Sequence, residues 1–221
     1  VVMWDPNGTT LANTLLFKRV PPFFNWGVRG LPLIANVYND KTTGGKSTDL
    51  PEAVIINSSG ASSGAVTAYN LNYNSIAGTT TQHIWTFGTN DMSGSTGITA
   101  FDFDGNGIRE IVYRDQSTLR IINGNLATPV NYATAPVASA TWGEYPIVAD
   151  LNNDGWLDIY VSNDFHEDDY YYINQKDGTY KEGIKEHFKH LSRFSMGSDI
   201  ADINNDGYQD VMTLDMYPED E

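Results

Sequence analysis

F-D-F-D-G-N-G-I-R-E-I-V (101–112), A-D-L-N-N-D-G-W-L-D-I-Y (149–160) and A-D-I-N-N-D-G-Y-Q-D-V-M (201–212) align without a gap. Their first acids, Asp102, Asp150 and Asp202, stand 48 and 52 residues apart. A degenerate fourth copy lies upstream, where A-N-V-Y-N-D (35–40) and D-L-P-E-A-V-I (49–55) flank the insertion K-T-T-G-G-K-S-T. Pairing Glu52 with Glu110 gives a step of 58 residues, longer by about that insertion. A fixed period of this size is the mark of a repeat architecture.

Each copy has the same surroundings. A short apolar strand is predicted before the loop (Ile98–Phe103, Pro146–Leu151, Met196–Ile203) and a β-branched or aromatic strand after it (Ile111–Arg114, Ile159–Ser162, Val211–Leu214). An alternating third strand follows at Thr118–Ile122 and Tyr170–Asn174, and candidates for a fourth are His83–Phe87 and Pro129–Ala133. The connections are rich in Gly, Asn, Ser and Asp, as tight β-turns require. Four short strands per repeat is the period of a propeller blade. The expected fold is therefore all-β, a β-propeller of four-stranded antiparallel blades in a single domain, with repeats at 1–30 (half a blade), 31–97, 98–144, 145–195 and 196–221 (half a blade). Within the first half, Thr10–Val20 and Phe23–Trp26 read as strands. The halves either pair to close a four-bladed ring or belong to a larger propeller, for example a seven-bladed one. Helical periodicity is confined to Tyr180–Phe194, read as a short helix or an irregular outer strand.

The loops carry oxygen side chains at positions 1, 3, 5 and 9: Asp102, Asp104, Asn106 and Glu110; Asp150, Asn152, Asp154 and Asp158; Asp202, Asn204, Asp206 and Asp210. Position 6 is Gly107, Gly155 or Gly207, and position 7 is Ile108, Trp156 or Tyr208, whose carbonyl can complete a shell. A hard cation such as Ca²⁺ takes six to eight oxygens, several from carboxylates. An EF-hand needs a bidentate Glu at position 12 and flanking helices. Here position 12 is Tyr113, Val161 or Thr213 and the flanks are strands, so that reading fails. A strand–loop–strand calcium site closed by the position-9 acid survives, with about three ions per chain expected. Zinc prefers His or Cys, and magnesium prefers fewer protein ligands. A loop rich in Asp, Asn and Gly is also simply a good turn; three copies in register argue for more.

The net charge is −15. Five of the 28 acidic and five of the 13 basic residues lie at or before Ala100, so 23 acids and eight bases follow it. A field of that sign repels phosphate backbones, which argues against a nucleic-acid partner. The chain has no cysteine and no apolar run long enough for a membrane span. Val1-Val2-Met3-Trp4-Asp5-Pro6 lacks the basic start and apolar centre of a signal peptide and reads as the start of a mature or excised fragment.

These loops resemble the FG-GAP/VCBS repeat family, whose loops also occur in the propeller of integrin α-subunits. Residues 150–220, with V-S-N-D-F (161–165), Y-Y-Y-I-N-Q-K-D-G-T-Y (170–180), R-F-S-M-G-S-D-I-A-D-I-N-N-D-G (193–207) and T-L-D-M-Y-P-E-D (213–220), resemble the propellers of bacterial ASPIC/UnbV-type proteins. The N-terminal half is more similar to the plainer FG-GAP repeats of bacterial surface and gliding-associated proteins. The resemblance implies a calcium-stabilised propeller on an exported, extracellular or surface protein, a non-enzymatic module that serves adhesion, contacts a protein or carbohydrate ligand, or assembles with itself.

Other constellations are weaker. Gly60-Ala61-Ser62-Ser63-Gly64 matches the nucleophile pattern G-x-S-x-G but lies between two strands, where a hairpin turn is expected. His187 and His190, beside Glu182 and Glu186, read as an exposed stretch, and His83 and His166 are isolated. Asp164, Glu167, Asp168 and Asp169 read as a solvated loop or a further metal ligand, with a general acid/base pair of a carbohydrate-active enzyme as the alternative. Tyr170–Tyr172, Trp156 and Tyr208 read as blade core, with sugar stacking as the alternative. Asn7 and Asn57 match glycosylation acceptors.

Overall fold

A computed structural model describes residues 2–4, 15–18, 31–39, 51–58, 64–69, 83–91, 96–138, 144–163 and 167–216. Its strands form antiparallel sheets between chain neighbours only, with no crossover. The first sheet pairs β1 (Val2–Trp4) with β2 (Leu15–Lys18). Three four-stranded sheets follow. The first holds β3 (Leu33–Ala35), β4 (Glu52–Ser58), β5 (Gly64–Tyr69) and β6 (His83–Thr89). The next holds β7 (Ile98–Phe101), β8 (Glu110–Asp115), β9 (Thr118–Asn123) and β10 (Val130–Pro136). The third holds β11 (Tyr145–Ala149), β12 (Asp158–Ser162), β13 (Tyr170–Asn174) and β14 (Tyr180–Glu182). The last sheet pairs β15 (Ser195–Ala201) with β16 (Asp210–Asp215).

The first strands stack in series: β7 touches β3 on one side and β11 on the other, and β11 touches β15. Sheets related through their first strands are blades arranged as in a propeller. The second strand of each inner blade lies between two neighbours. On β8, Ile111 and Tyr113 pack with Val54, Ile56 and Val66 of the blade before, while Val112 packs with Ile159, Val161 and Tyr172 of the blade after. On β12 the same alternation sends Ile159 and Val161 back toward β8 and Tyr160 forward toward Ile200 and Val211. Period-two side chains that meet protein on both faces explain the unbroken run E-I-V-Y-R-D, every residue of which is buried.

Polar contacts cross the blade boundaries as well. The Arg109 N–H donates to the Asn36 carbonyl and the Gly97 N–H to the Glu144 carbonyl, both at 2.8 Å. The Arg114 guanidinium on β8 pairs with the Glu144 carboxylate ahead of β11, and both side chains are buried.

Several expectations are corrected. The N-terminal sheet uses Val2–Trp4 and Leu15–Lys18 rather than Thr10–Val20 and Phe23–Trp26. The first of these strands is three residues long, too short to show a period, and Phe23–Trp26 lies outside the described residues. Among the described residues no ladder joins β1–β2 to β15–β16. Tyr180–Phe194 divides: Tyr180–Glu182 is the outer strand, and α1 (Ile184–His187) is a single turn that buries Ile184 against Tyr160 and Tyr171. Ser58 pairs with Gly64 across a hairpin, and the connecting residues 59–63 lie outside the described ones, as do His166 and the insertion at 41–48. No helix among the described residues is long and apolar enough to cross a membrane.

Candidate metal centre

The three loops connect the first and second strands of successive blades, and they share one hydrogen-bond pattern. The position-1 acid caps two backbone N–H groups: Asp102 accepts from Asn106 at 3.0 Å and Gly107 at 2.8 Å. Asp150 does the same for Asp154 and Gly155, and Asp202 for Asp206 and Gly207, at the same distances. The position-3 side chain accepts from the position-5 N–H (Asp104, Asn152, Asn204). The position-5 side chain accepts from the position-7 N–H (Asn106, Asp154, Asp206). Side chains that hydrogen-bond their own backbone two residues on form successive turns and curl the loop.

Two positions in each loop are left-handed. Gly155 has φ +85°, and position 4, not singled out in the sequence, is occupied by Asn153 at φ +57°. Position 4 is Gly105 or Asn205 in the other loops, the residue types that tolerate this conformation. That composition was the available signal.

The position-9 acid has a second role. Glu110 is buried and its Oε2 accepts the Phe103 N–H at 3.0 Å; Asp210 accepts the Ile203 N–H at 2.9 Å. In the degenerate copy, buried Glu52 accepts the Val37 and Tyr38 N–H groups at 3.0 and 3.1 Å. The fourth copy thus retains this bond, although Tyr38 stands at position 3 and the insertion separates Asp40 from Glu52. Asp158 is the most heavily engaged. It accepts the Tyr171 hydroxyl at 2.6 Å and the Asn174 N–H at 2.9 Å, and it also bonds the Leu151 N–H.

The donor set suits a hard cation. One carboxylate oxygen from each of Asp102, Asp104 and Glu110 lies within 4.8 Å of the others. Burial, with repulsion from Asp104 and Asp102, outweighs the Phe103 N–H bond and pushes Glu110 up to about 7. A divalent ion relieves that repulsion, and the loop supplies oxygens only. Each loop carries three acids and one amide, which stands at position 5 in the first loop (Asn106) and at position 3 in the others (Asn152, Asn204). Ile108 is buried, whereas Trp156 and Tyr208 are 45% and 58% exposed.

Asp169 departs from expectation. It is fully buried, not solvated: its Oδ2 accepts the Tyr160 hydroxyl at 2.6 Å and its Oδ1 the Asn163 N–H at 2.8 Å. Burial outweighs these bonds and pushes it up to about 6. Asp164 lies outside the described residues; Glu167 and Asp168 are half-buried beside an open hollow shared with Glu182, Lys185 and Arg193. His187 and His190 are exposed, and the His187 ring meets the edge of Tyr171. Tyr171 and Tyr172 are core, so the aromatic set divides into buried tyrosines and exposed loop residues.

Glu110 and Asp169 fix a pH dependence. Both are raised in the folded state, so between their ordinary values and about 7 the unfolded chain ionises while the folded chain resists. The stability these two groups contribute to metal-free protein is full below about pH 4 and falls by on the order of 2–3 kcal/mol as pH rises to about 7. Urea midpoints of chelated protein at several pH values check this, and a flat or rising profile contradicts it.

No curated protein sequence matches this chain. Among solved structures, the V. cholerae biofilm matrix protein Bap1 is similar, with a TM-score of 0.55 at 20% identity. The match covers 84% of this chain and 28% of Bap1, so the chain spans under a third of that protein's length. The family model for an FG-GAP-like repeat matches twice, at residues 102–161 and 150–213, so that each match begins on a position-1 acid and runs through the loop and second strand of the next blade. By these two matches in register with its own loops and blades, the chain belongs to the FG-GAP-like repeat family.

Proposed function

We propose that the chain is a calcium-binding propeller module of a secreted or cell-surface protein, non-enzymatic, serving adhesion or contact with a protein or carbohydrate ligand. One observation carries the calcium reading: three loops share one hydrogen-bond pattern at the same point of successive blades, and in the first of them carboxylate oxygens of Asp102, Asp104 and Glu110 lie within 4.8 Å of one another. The ligands are Asp102, Asp104, Asn106 and Glu110, then Asp150, Asn152, Asp154 and Asp158, then Asp202, Asn204, Asp206 and Asp210, with the carbonyls of Ile108, Trp156 and Tyr208. Membership of the repeat family and the likeness to a biofilm matrix protein support the exported setting. Calorimetric titration of metal-stripped protein with calcium tests the reading. Three ions per chain are expected, and none overturns it.

Self-assembly is a second reading, favoured by the last sheet. Met212 and Leu214 are 50% and 59% exposed at the positions where β12 carries Tyr160 and Ser162, both buried by the following sheet. A second copy that supplies a sheet to that face makes the chain a subunit of a surface filament. Sedimentation at rising concentration detects it, and a strict monomer rules it out.

A further inference from the structure

The second loop differs from the other two in what already occupies its acids. The Lys176 ammonium lies 3.3 Å from Asp154 Oδ2. Asp154 Oδ1 accepts the Trp156 N–H, and Oδ2, which also accepts the Asn152 side-chain amide at 3.1 Å, is the oxygen that faces the ammonium. The β13–β14 hairpin sets the Lys176 backbone beside the loop. That backbone is left-handed at φ +65°, and its N–H donates to Asn174 Oδ1 at 2.9 Å. The turn closes through the Gln175 N–H to the Thr179 carbonyl at 2.9 Å. Asn174 pins the hairpin to the loop: its N–H binds Asp158 and its side-chain amide binds the Leu157 carbonyl. Tyr171 on β13 takes the remaining Asp158 oxygen. Among the described residues no lysine or arginine pairs with an acid of the first or third loop.

We infer that Lys176 is a tethered counter-ion of the second loop, so that calcium must displace it and this loop is the weakest of the three sites. The inference rests on the calcium reading above. A fixed positive charge next to a divalent ion opposes binding, and exposure to solvent and salt limits the effect. Removing the charge tightens the second site by about three- to tenfold. The first and third sites stay as they are.

Trp156 sits in the second loop alone and is half-exposed, so its fluorescence reports that site. Calcium is titrated into metal-stripped wild type, Lys176→Gln and Lys176→Arg, with Trp156→Phe identifying the signal and calorimetry giving the total number of ions. The expected result is three ions throughout, a second site three- to tenfold tighter in Lys176→Gln, and wild-type affinity in Lys176→Arg. Three ions with an unchanged or weaker second site in Lys176→Gln overturns the role of Lys176 and leaves the calcium reading standing. No ion bound to the wild type overturns the calcium reading itself, and the inference with it.

Discussion

Glu144→Ala lowers the unfolding free energy by about 3–5 kcal/mol, because it strands the Arg114 guanidinium in a dry boundary between two blades. Arg114 and Glu144 are 3% and 0% exposed, and the pair joins β8 to the segment that leads into β11. Arg114 also donates from Nε to the Gln116 carbonyl at 2.5 Å, which steadies a turn where Gln116 stands at φ +52°. The lost pair therefore loosens the boundary and the turn together. Urea unfolding with and without Arg114→Met separates the two contributions. The double variant Arg114→Met/Glu144→Met recovers most of the loss, since a buried pair replaced by apolar groups is often neutral. A loss below about 1 kcal/mol in Glu144→Ala defeats the account.

Chelation produces the second large effect. A ligand present at about 100 times its dissociation constant contributes about 2.7 kcal/mol per site, hence about 8 kcal/mol for three sites. For a chain of this size that corresponds to a fall in Tm of about 15–30 °C between excess calcium and excess chelator. Asp102→Asn, Asp150→Asn and Asp202→Asn each remove part of that difference. An amide has one oxygen where the carboxylate uses two to cap the position-5 and position-6 N–H groups. An unchanged Tm defeats the calcium reading. The same protein at low pH behaves in the opposite sense: protonation of Glu110 removes part of the repulsion that calcium otherwise neutralises.

The loops and the strands beside them were legible because local chemistry dictates them. Asp, Asn and Gly at fixed offsets specify turns through their own side-chain bonds, and the β-branched runs after them specify strands. What depends on distant neighbours was not legible. Asp169 reads as solvated among Glu167 and Asp168, yet it is buried because Tyr160, nine residues earlier, presents a hydroxyl to it. The position-9 acids read as ligands alone, while their hold on the position-2 N–H at the start of the loop appears only once both strands are in register. Lys176 carries no signal in its own segment, since its partner is reached only when the hairpin folds back on the loop. Val2–Trp4 is too short to show a period.

The double-faced burial of β8 and β12 has a consequence for how the molecule comes apart. A blade whose central strand needs a neighbour on each side has little stability of its own, so stability resides in the boundaries and passes from one to the next as in a row of coupled spins. Interior boundaries are held from both directions. Among the described residues the β15–β16 sheet is held from one, and Met212 and Leu214 contribute little to it while they face solvent. Among the described sheets, β15–β16 therefore opens before the blades of β8 and β12, with amide exchange faster on β16 than on β8.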